Sequence, residues 1–132
     1  MNLPDVPLFS MLRQRMSWLH QRQDTLSQNV ANADTPRYVA RDLKPLDFDD
    51  ALNVVRHGTP MMTTNVRHIA LTPSTSGTFE DHETPDQESD PNGNAVSLEM
   101  EMIKVSETQA QFQAAANLYA KAMTMMKTAI GH

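Results

Sequence analysis

The five histidines, at 20, 57, 68, 82 and 132, are the side chains best suited to hold a metal or move a proton near neutral pH. No two of them stand four residues apart and no HExxH occurs, so a zinc site has no support in their spacing. Asp47, Asp49 and Asp50 cluster, but the glycine and the distal glutamate of a calcium-binding EF-hand loop are missing. Charge at the start of a short helix accounts for them better. With no cysteine, disulfides, thiolate nucleophiles and cysteine metal ligands are all absent, and the redox compartment stays open. Four glycines make no phosphate loop, and there is no GxSxG elbow. A Ser-His-Asp set is defined by geometry, and no spacing recommends one here. The expectation is a protein that is not an enzyme, with no cofactor, no metal and no small-molecule substrate.

The elements that would position any site are easier to read. At 132 residues the chain has room for at most one ordinary domain. Hydrophobic residues make up 39% and aromatics 5%, so where the apolar residues sit matters more than their number. The net charge of -5 is localised: residues 73–94 carry Glu80, Asp81, Glu83, Asp86, Glu88 and Asp90 with no Lys or Arg, leaving about +1 for the remainder. Arg13, Arg15, Arg22, Arg37 and Arg41 are diluted by three acids and suit an exposed helix face, so no nucleic acid partner is expected. No run approaches the roughly 18 apolar residues of a membrane span. MNLPDVPLF lacks the basic start and apolar core of a cleaved signal, so any export is expected to proceed without one.

Two stripes dominate. Near the N-terminus Phe9, Met16, Gln23 and Val30 stand seven apart, as do Leu12, Leu19, Leu26 and Ala33, offset by three; this is an a/d heptad without internal Gly or Pro. Pro4 and Pro7 suit its entry. Near the C-terminus Leu98, Val105, Phe112, Tyr119 and Met126 form one row, and Met102, Gln109, Ala116, Met123 and Ile130 a second. Ser97 or Asn94 is a cap candidate, Glu99 and Glu101 lie in the first turns, and Lys121 and Lys127 lie toward the far end, where the helix dipole favours each sign. An antiparallel hairpin that sets Ala33 level with Leu98 would bring Gln23 and Gln109 together. The expectation is that these two amides bond to each other and fix register, since an unpaired buried amide costs about 1–3 kcal/mol.

The fold class is therefore mainly α: two long terminal amphipathic helices forming an antiparallel coiled-coil-like hairpin around a small irregular, β-containing and partly disordered middle. The expected divisions are residues 1–36, an N-terminal helix; 37–72, an irregular region with a short helix in DFDDALNVV and a strand or hairpin arm in MMTTNVRHIAL; 73–94, an acidic flexible loop closed by the PNGN turn; and 95–132, a C-terminal helix. Leu8, Met11, Trp18, Ala31, Ile103, Ala115, Leu118 and Met125 are apolar outside the stripes, and five methionines crowd the last helix. Flexible thioethers suit surfaces that accept varied neighbours. Such a chain is expected to pack against copies or relatives and to be poorly ordered alone.

Residues 23–42, QDTLSQNVANADTPRYVARD, resemble the N-terminal signature of the bacterial flagellar axial rod protein family, a helix carrying LSxNxANxxTxGY. NGNAVSLEMEMIKVSETQAQFQAAANLYAKAMTMMKTAI, residues 92–130, is similar to the family's NGNxVxLExEM helix, and MMTTNVRHI, residues 61–69, to its TTxxxHI element. Together these matches cover well over half the chain in the family's order. The resemblance implies a structural subunit of the cell-proximal rod of the flagellar basal body, joining the membrane ring to the distal rod and transmitting torque. It implies export through the flagellar type III apparatus, and as partners copies of itself, other rod subunits and the membrane-ring adaptor. Leu12, Met16, Leu19, Leu26 and Val30, with Leu98, Met102, Val105, Phe112, Tyr119, Met123 and Met126, match the helices that contact neighbouring subunits; Asn29, Asn32, Thr35 and Tyr38 match the signature. Arg37 stands where the family commonly has glycine and Ser97 where it commonly has aspartate, so the turn at Arg37 is open to question. Another rod protein, or a free-standing helical-hairpin adaptor or export chaperone, is the competing reading.

Overall fold

A computed structural model of the chain describes residues 7–46, 79–86 and 90–131. The candidates DFDDALNVV and MMTTNVRHIAL lie outside the described residues. Helix α1 spans Pro7–Ala31 and helix α2 spans Leu98–Ile130, 25 and 33 residues. At about 1.5 Å per residue α2 is about 50 Å long. Between them in the chain, among the described residues, come two short strands, β1 (Arg41–Leu43) and β2 (Asp81–Glu83).

The helices pack antiparallel. Phe9 meets Tyr119 edge to face with ring centroids 5.4 Å apart, Arg15 Nη2 donates to Gln111 Oε1 at 3.1 Å, and Asn29 Nδ2 donates to Glu101 Oε2 at 2.8 Å. Partners on α2 therefore descend as those on α1 ascend. From α1 the interior takes Phe9, Leu12, Leu19 and Leu26, the stripe expected from the heptad, with Met16 and Val30 half-buried.

On α2 one expected row is right in direction and the other is not. Val105, Phe112, Tyr119 and Met126 are half-buried along the seam. The fully buried positions are Glu101, Thr108 and Ala122, whereas Met102, Gln109, Met123 and Ile130 are exposed. The second row thus starts one residue earlier than apolar spacing indicated, a rotation of about 100° about the helix axis. Counting apolar residues favoured Met102 and Met123; the fold instead buries a carboxylate, a hydroxyl and a methyl, the carboxylate being held there by Asn29 and Lys104.

The Thr108 hydroxyl is buried without a hydrogen-bond partner among the described residues. Removing an orphaned donor while keeping shape relieves its desolvation cost. Thr108→Val is expected to stabilise the hairpin by about 1 kcal/mol, read as a higher urea midpoint at unchanged slope.

Helix α2 begins with Ser97 at the cap position, yet its side chain makes no capping bond. Its backbone N–H is taken by Asp86 Oδ2 at 2.7 Å. The capping carboxylate therefore comes from a residue eleven positions earlier, and neither Ser97 nor Asn94 caps the helix by its side chain in the way the sequence suggested. Glu99 and Glu101 occupy the first turn and Lys127 the last, and Gly131 closes the helix in the left-handed region at φ 75°.

β1 and β2 pair antiparallel in the register Arg41 with Glu83, Asp42 with His82 and Leu43 with Asp81. Lys44 N–H to the Glu80 carbonyl and Thr84 N–H to the Ala40 carbonyl extend the ladder. This places part of the expected acidic loop in a strand. Its acids find cations across the ladder, Arg41 on Asp81 at 3.1 Å and Lys44 on Glu80, which spacing within 73–94 alone does not reveal. The Gln21 side chain bonds both the carbonyl and the N–H of Phe79, at 3.0 and 3.1 Å, acting as a short length of partner strand. Arg22 grips Asp42 with two bonds of 2.9 Å, and Trp18, buried beneath Arg15 and Arg22, donates Nε1–H to the Lys44 carbonyl. These contacts hold the ribbon to α1.

Candidate functional site

Where α1 ends, the chain must turn and still satisfy the helix's last carbonyls. Asn32 does this with both its groups: its backbone N–H and its side-chain Nδ2 reach the Gln28 carbonyl at 3.0 and 2.8 Å. Thr35 N–H then returns to the Asn32 carbonyl, Thr35 Oγ1 bonds Asn32 Oδ1, and Tyr38 N–H reaches the Thr35 carbonyl. Arg37 sits inside this turn at φ 60°. The left-handed geometry that suits glycine is thus kept with an arginine in place, which settles the question raised by that substitution. Arg37→Gly is expected to raise stability by about 0.5–1 kcal/mol, the relieved Cβ clash outweighing the extra chain entropy, measured by thermal melting.

The turn is locked from the other side by residues some sixty positions away. Asn94, 1% exposed, donates Nδ2–H to the Asn32 carbonyl at 3.0 Å and to the Thr35 carbonyl at 2.6 Å, while its Oδ1 accepts Val96 N–H. Asn29, wholly buried, is the centre of the lock. Its Nδ2 donates to the Arg41 carbonyl and to Glu101 Oε2, and its Oδ1 accepts Arg41 N–H at 3.0 Å and the Tyr38 hydroxyl at 3.2 Å. One amide thereby joins α1, the start of β1 and α2. Ala95 N–H to the Tyr38 carbonyl, with the parallel bridge of Val39 to Ala95, closes the corner along the main chain.

A buried carboxylate needs charge compensation as well as hydrogen bonds. Glu101 receives it from Lys104, whose Nζ lies 2.6 Å from Oε1 and 3.3 Å from Asp86 Oδ1. Burial pulls the Lys104 ammonium toward neutrality, but the bond and charge of Glu101, with Asp86, outweigh it and leave its pKa raised. A raised lysine contributes its ion pairing fully below the ordinary value and loses it only as pH climbs through the raised one, so this link is constant across neutral pH.

All four signature residues, Asn29, Asn32, Thr35 and Tyr38, meet at this corner. Gln23 and Gln109 do not meet: Gln109 is exposed, Gln23 is half-buried, and no hydrogen bond joins them. The rotation of the α2 seam carries Gln109 outward, and register is fixed instead by Asn29 with Glu101 and by Arg15 with Gln111. Asp86, Asn94, Glu101 and Lys104 were not singled out as a site from sequence. The one signal was the glutamate within LExEM at a spacing that continues to Val105 and Thr108, with a lysine three residues on to pair it.

The twelve residues matched to helix contacts divide by environment. Leu12, Leu19 and Leu26 are spent inside the hairpin; Met16, Val30, Val105, Phe112, Tyr119 and Met126 lie half-buried along it; Leu98, Met102 and Met123 face outward. Met100, Ile103, Leu118, Met125 and Ile130 are exposed on α2 as well, Ile103 being 67% and Ile130 62% exposed. No charge interrupts α2 between Glu107 and Lys121. Exposed apolar side chains in such number are a feature of surfaces suited to contact with other protein.

A helical hairpin locked at one corner and apolar on its outer face is the build of an assembly subunit, and the comparisons agree. The family model for flagella basal body rod protein matches residues 11–38, the second half of which runs into the corner. The flagellar basal body rod protein FlgB of Agrobacterium fabrum (strain C58) is 31% identical over 130 residues, covering 95% of this chain and 93% of that protein. FlgB of Escherichia coli (strain K12) is 38% identical over 103 residues, 70% of each chain, and FlgB of Aeromonas hydrophila 31% over 107 residues, 80% and 78%. The chain belongs to the FlgB family of flagellar basal body rod proteins.

Proposed function

We propose that the chain is a structural, non-catalytic subunit of the cell-proximal part of the rod, linking the membrane ring to the distal rod and passing torque between them. The observation that carries this reading is the set of exposed apolar side chains toward the two ends of α2, among them Leu98, Met102, Met123 and Ile130, in a chain of this family. Burial of those side chains against neighbours contributes roughly 25 cal/mol per Å² of apolar surface. The corner gives the surface a fixed orientation, because α1 and α2 cannot slide past one another without breaking the Asn29 and Asn94 bonds. Neighbouring rod subunits, copies of this chain and the membrane-ring adaptor are the partners in this reading, and no nucleic acid is involved. Entry to the rod is by way of the flagellar export apparatus.

Complementation tests it. In cells lacking their own gene of this family, expression of the chain is expected to restore basal bodies and swimming. Cells that make and export the chain yet remain without rods would count against the reading.

A further inference from the structure

Asn92–Gly93 is the only Asn-Gly pair in the chain, and it lies in the turn that leads into α2. A glycine nitrogen has no Cβ beside it to hinder attack on the preceding side-chain amide. We propose that Asn92 is a spontaneous modification site, deamidated when the corner is open and protected when it is closed.

The step involves only the chain and water. The Gly93 backbone nitrogen attacks Asn92 Cγ, its proton passes to the side-chain nitrogen, the Cγ–Nδ2 bond breaks and ammonia leaves. Water then opens the resulting five-membered imide at either carbonyl, giving aspartate or isoaspartate. Closing that ring requires the Gly93 nitrogen to be free.

In the folded corner it is not free. Gly93 N–H donates to the Asp90 carbonyl at 2.9 Å, and Gly93 is held at φ 81° with its Cα face against Arg37, so that an added Cβ would lie 3.3 Å from Arg37 Cγ. Asn92 Oδ1 accepts Asn94 N–H at 3.0 Å, which fixes the electrophile too. The Asn94 side chain is in turn bonded to the Asn32 and Thr35 carbonyls, tying this turn to the end of α1. Asn92 itself is exposed, so once the turn opens nothing keeps water from the imide.

The two products have different consequences. Aspartate keeps an oxygen for Asn94 N–H. Isoaspartate routes the main chain through the side-chain carbon, lengthening it by one atom between residues 92 and 93. The bonds of Gly93 to Asp90 and of Asn94 to residue 92 then no longer fit together, and the converted chain cannot close its corner. Modification in an open chain thus removes that chain from the pool able to form the hairpin.

The experiment is incubation of the full-length protein at neutral pH, with and without unfolding urea, followed by peptide mass mapping of residue 92 over time. Conversion is expected to be at least about tenfold slower in buffer, the ratio reporting local opening of the corner. Asn94→Ala is expected to raise the buffer rate toward the urea rate, whether it loosens the corner or unfolds the chain, and Gly93→Ala to slow conversion in urea. Equal rates in buffer and urea, an unchanged buffer rate in Asn94→Ala, or an unchanged urea rate in Gly93→Ala would overturn the proposal.

Discussion

Asn29→Ala is expected to lower the stability of the hairpin by about 3–5 kcal/mol, the largest effect of any single side chain described here. Three separate losses combine. Glu101 stays buried with one fewer donor, the Arg41 N–H and carbonyl lose their side-chain partners, and the Tyr38 hydroxyl is orphaned. Each group left unsatisfied costs about 1–3 kcal/mol, and a stranded carboxylate lies at the upper end. Urea titration followed by circular dichroism measures the loss. Gln23→Ala on the same helix is expected to change stability by no more than about 0.5 kcal/mol, because its side chain has no place in the corner. A cycle with Glu101→Ala should show coupling between positions 29 and 101 of at least about 1 kcal/mol. Equal effects of Asn29→Ala and Gln23→Ala would mean that the corner does not hold the register.

The second large effect separates assembly from folding. Met102→Glu with Met123→Glu places two carboxylates on the outward face of α2, where both methionines are exposed. In the isolated chain both side chains reach solvent, at 57% and 39% exposure, so the urea midpoint should move little, within about 1 kcal/mol. Against a neighbouring helix the same carboxylates would be desolvated without partners, at a cost of several kcal/mol each. The double variant is therefore expected to be made at normal levels and to keep its helical content, but to support no swimming in the complementation assay. Leu replacements at the same two positions, which preserve volume and apolarity, should restore it. A motile Glu variant would show that this face meets no partner.

Much of this organisation is visible in the sequence, and what is hidden is hidden for a physical reason. The α1 stripe reads correctly because Leu12, Leu19 and Leu26 are large, apolar and regularly spaced, so burial and periodicity agree. The segment expected as helix runs to residue 36, whereas α1 ends at Ala31, because Asn32 and Thr35 turn the chain with local bonds and Pro36 disfavours helix at the residue before it. The α2 seam misleads. Its buried Glu101 and Thr108 look like surface residues, while its exposed Met102 and Met123 look like core. Glu101 is buried because Asn29, 72 residues away, and Lys104 complete its bonding, and no periodicity within one helix carries that information. Composition alone does not separate apolar residues that a helix exposes from those it buries.

The β ribbon illustrates the same limit. Asp81, His82 and Glu83 have low strand preference and are exposed, yet they pair with Arg41–Leu43, where Arg41 reaches diagonally to Asp81 and Lys44, just beyond the strand, pairs with Glu80. The signature residues were legible as a motif, but not as one structure. Their common cause is the corner: the N-terminal group supplies Asn29, Asn32, Thr35 and Tyr38, the C-terminal group supplies Asn94 and Glu101, and each is the other's hydrogen-bond partner. Two motifs some sixty residues apart are two halves of one joint.

The central claim is that interior and exterior of this hairpin have separate tasks, the first holding the chain together and the second meeting its neighbours. Photo-crosslinking in intact basal bodies tests it most directly, with the reactive side chain placed singly at Met102, Ile103 or Leu19. Positions 102 and 103 are expected to link this chain to adjacent subunits, and position 19, 0% exposed, to link only within the chain to α2. Intermolecular links from position 19, with none from 102 or 103, would contradict the account.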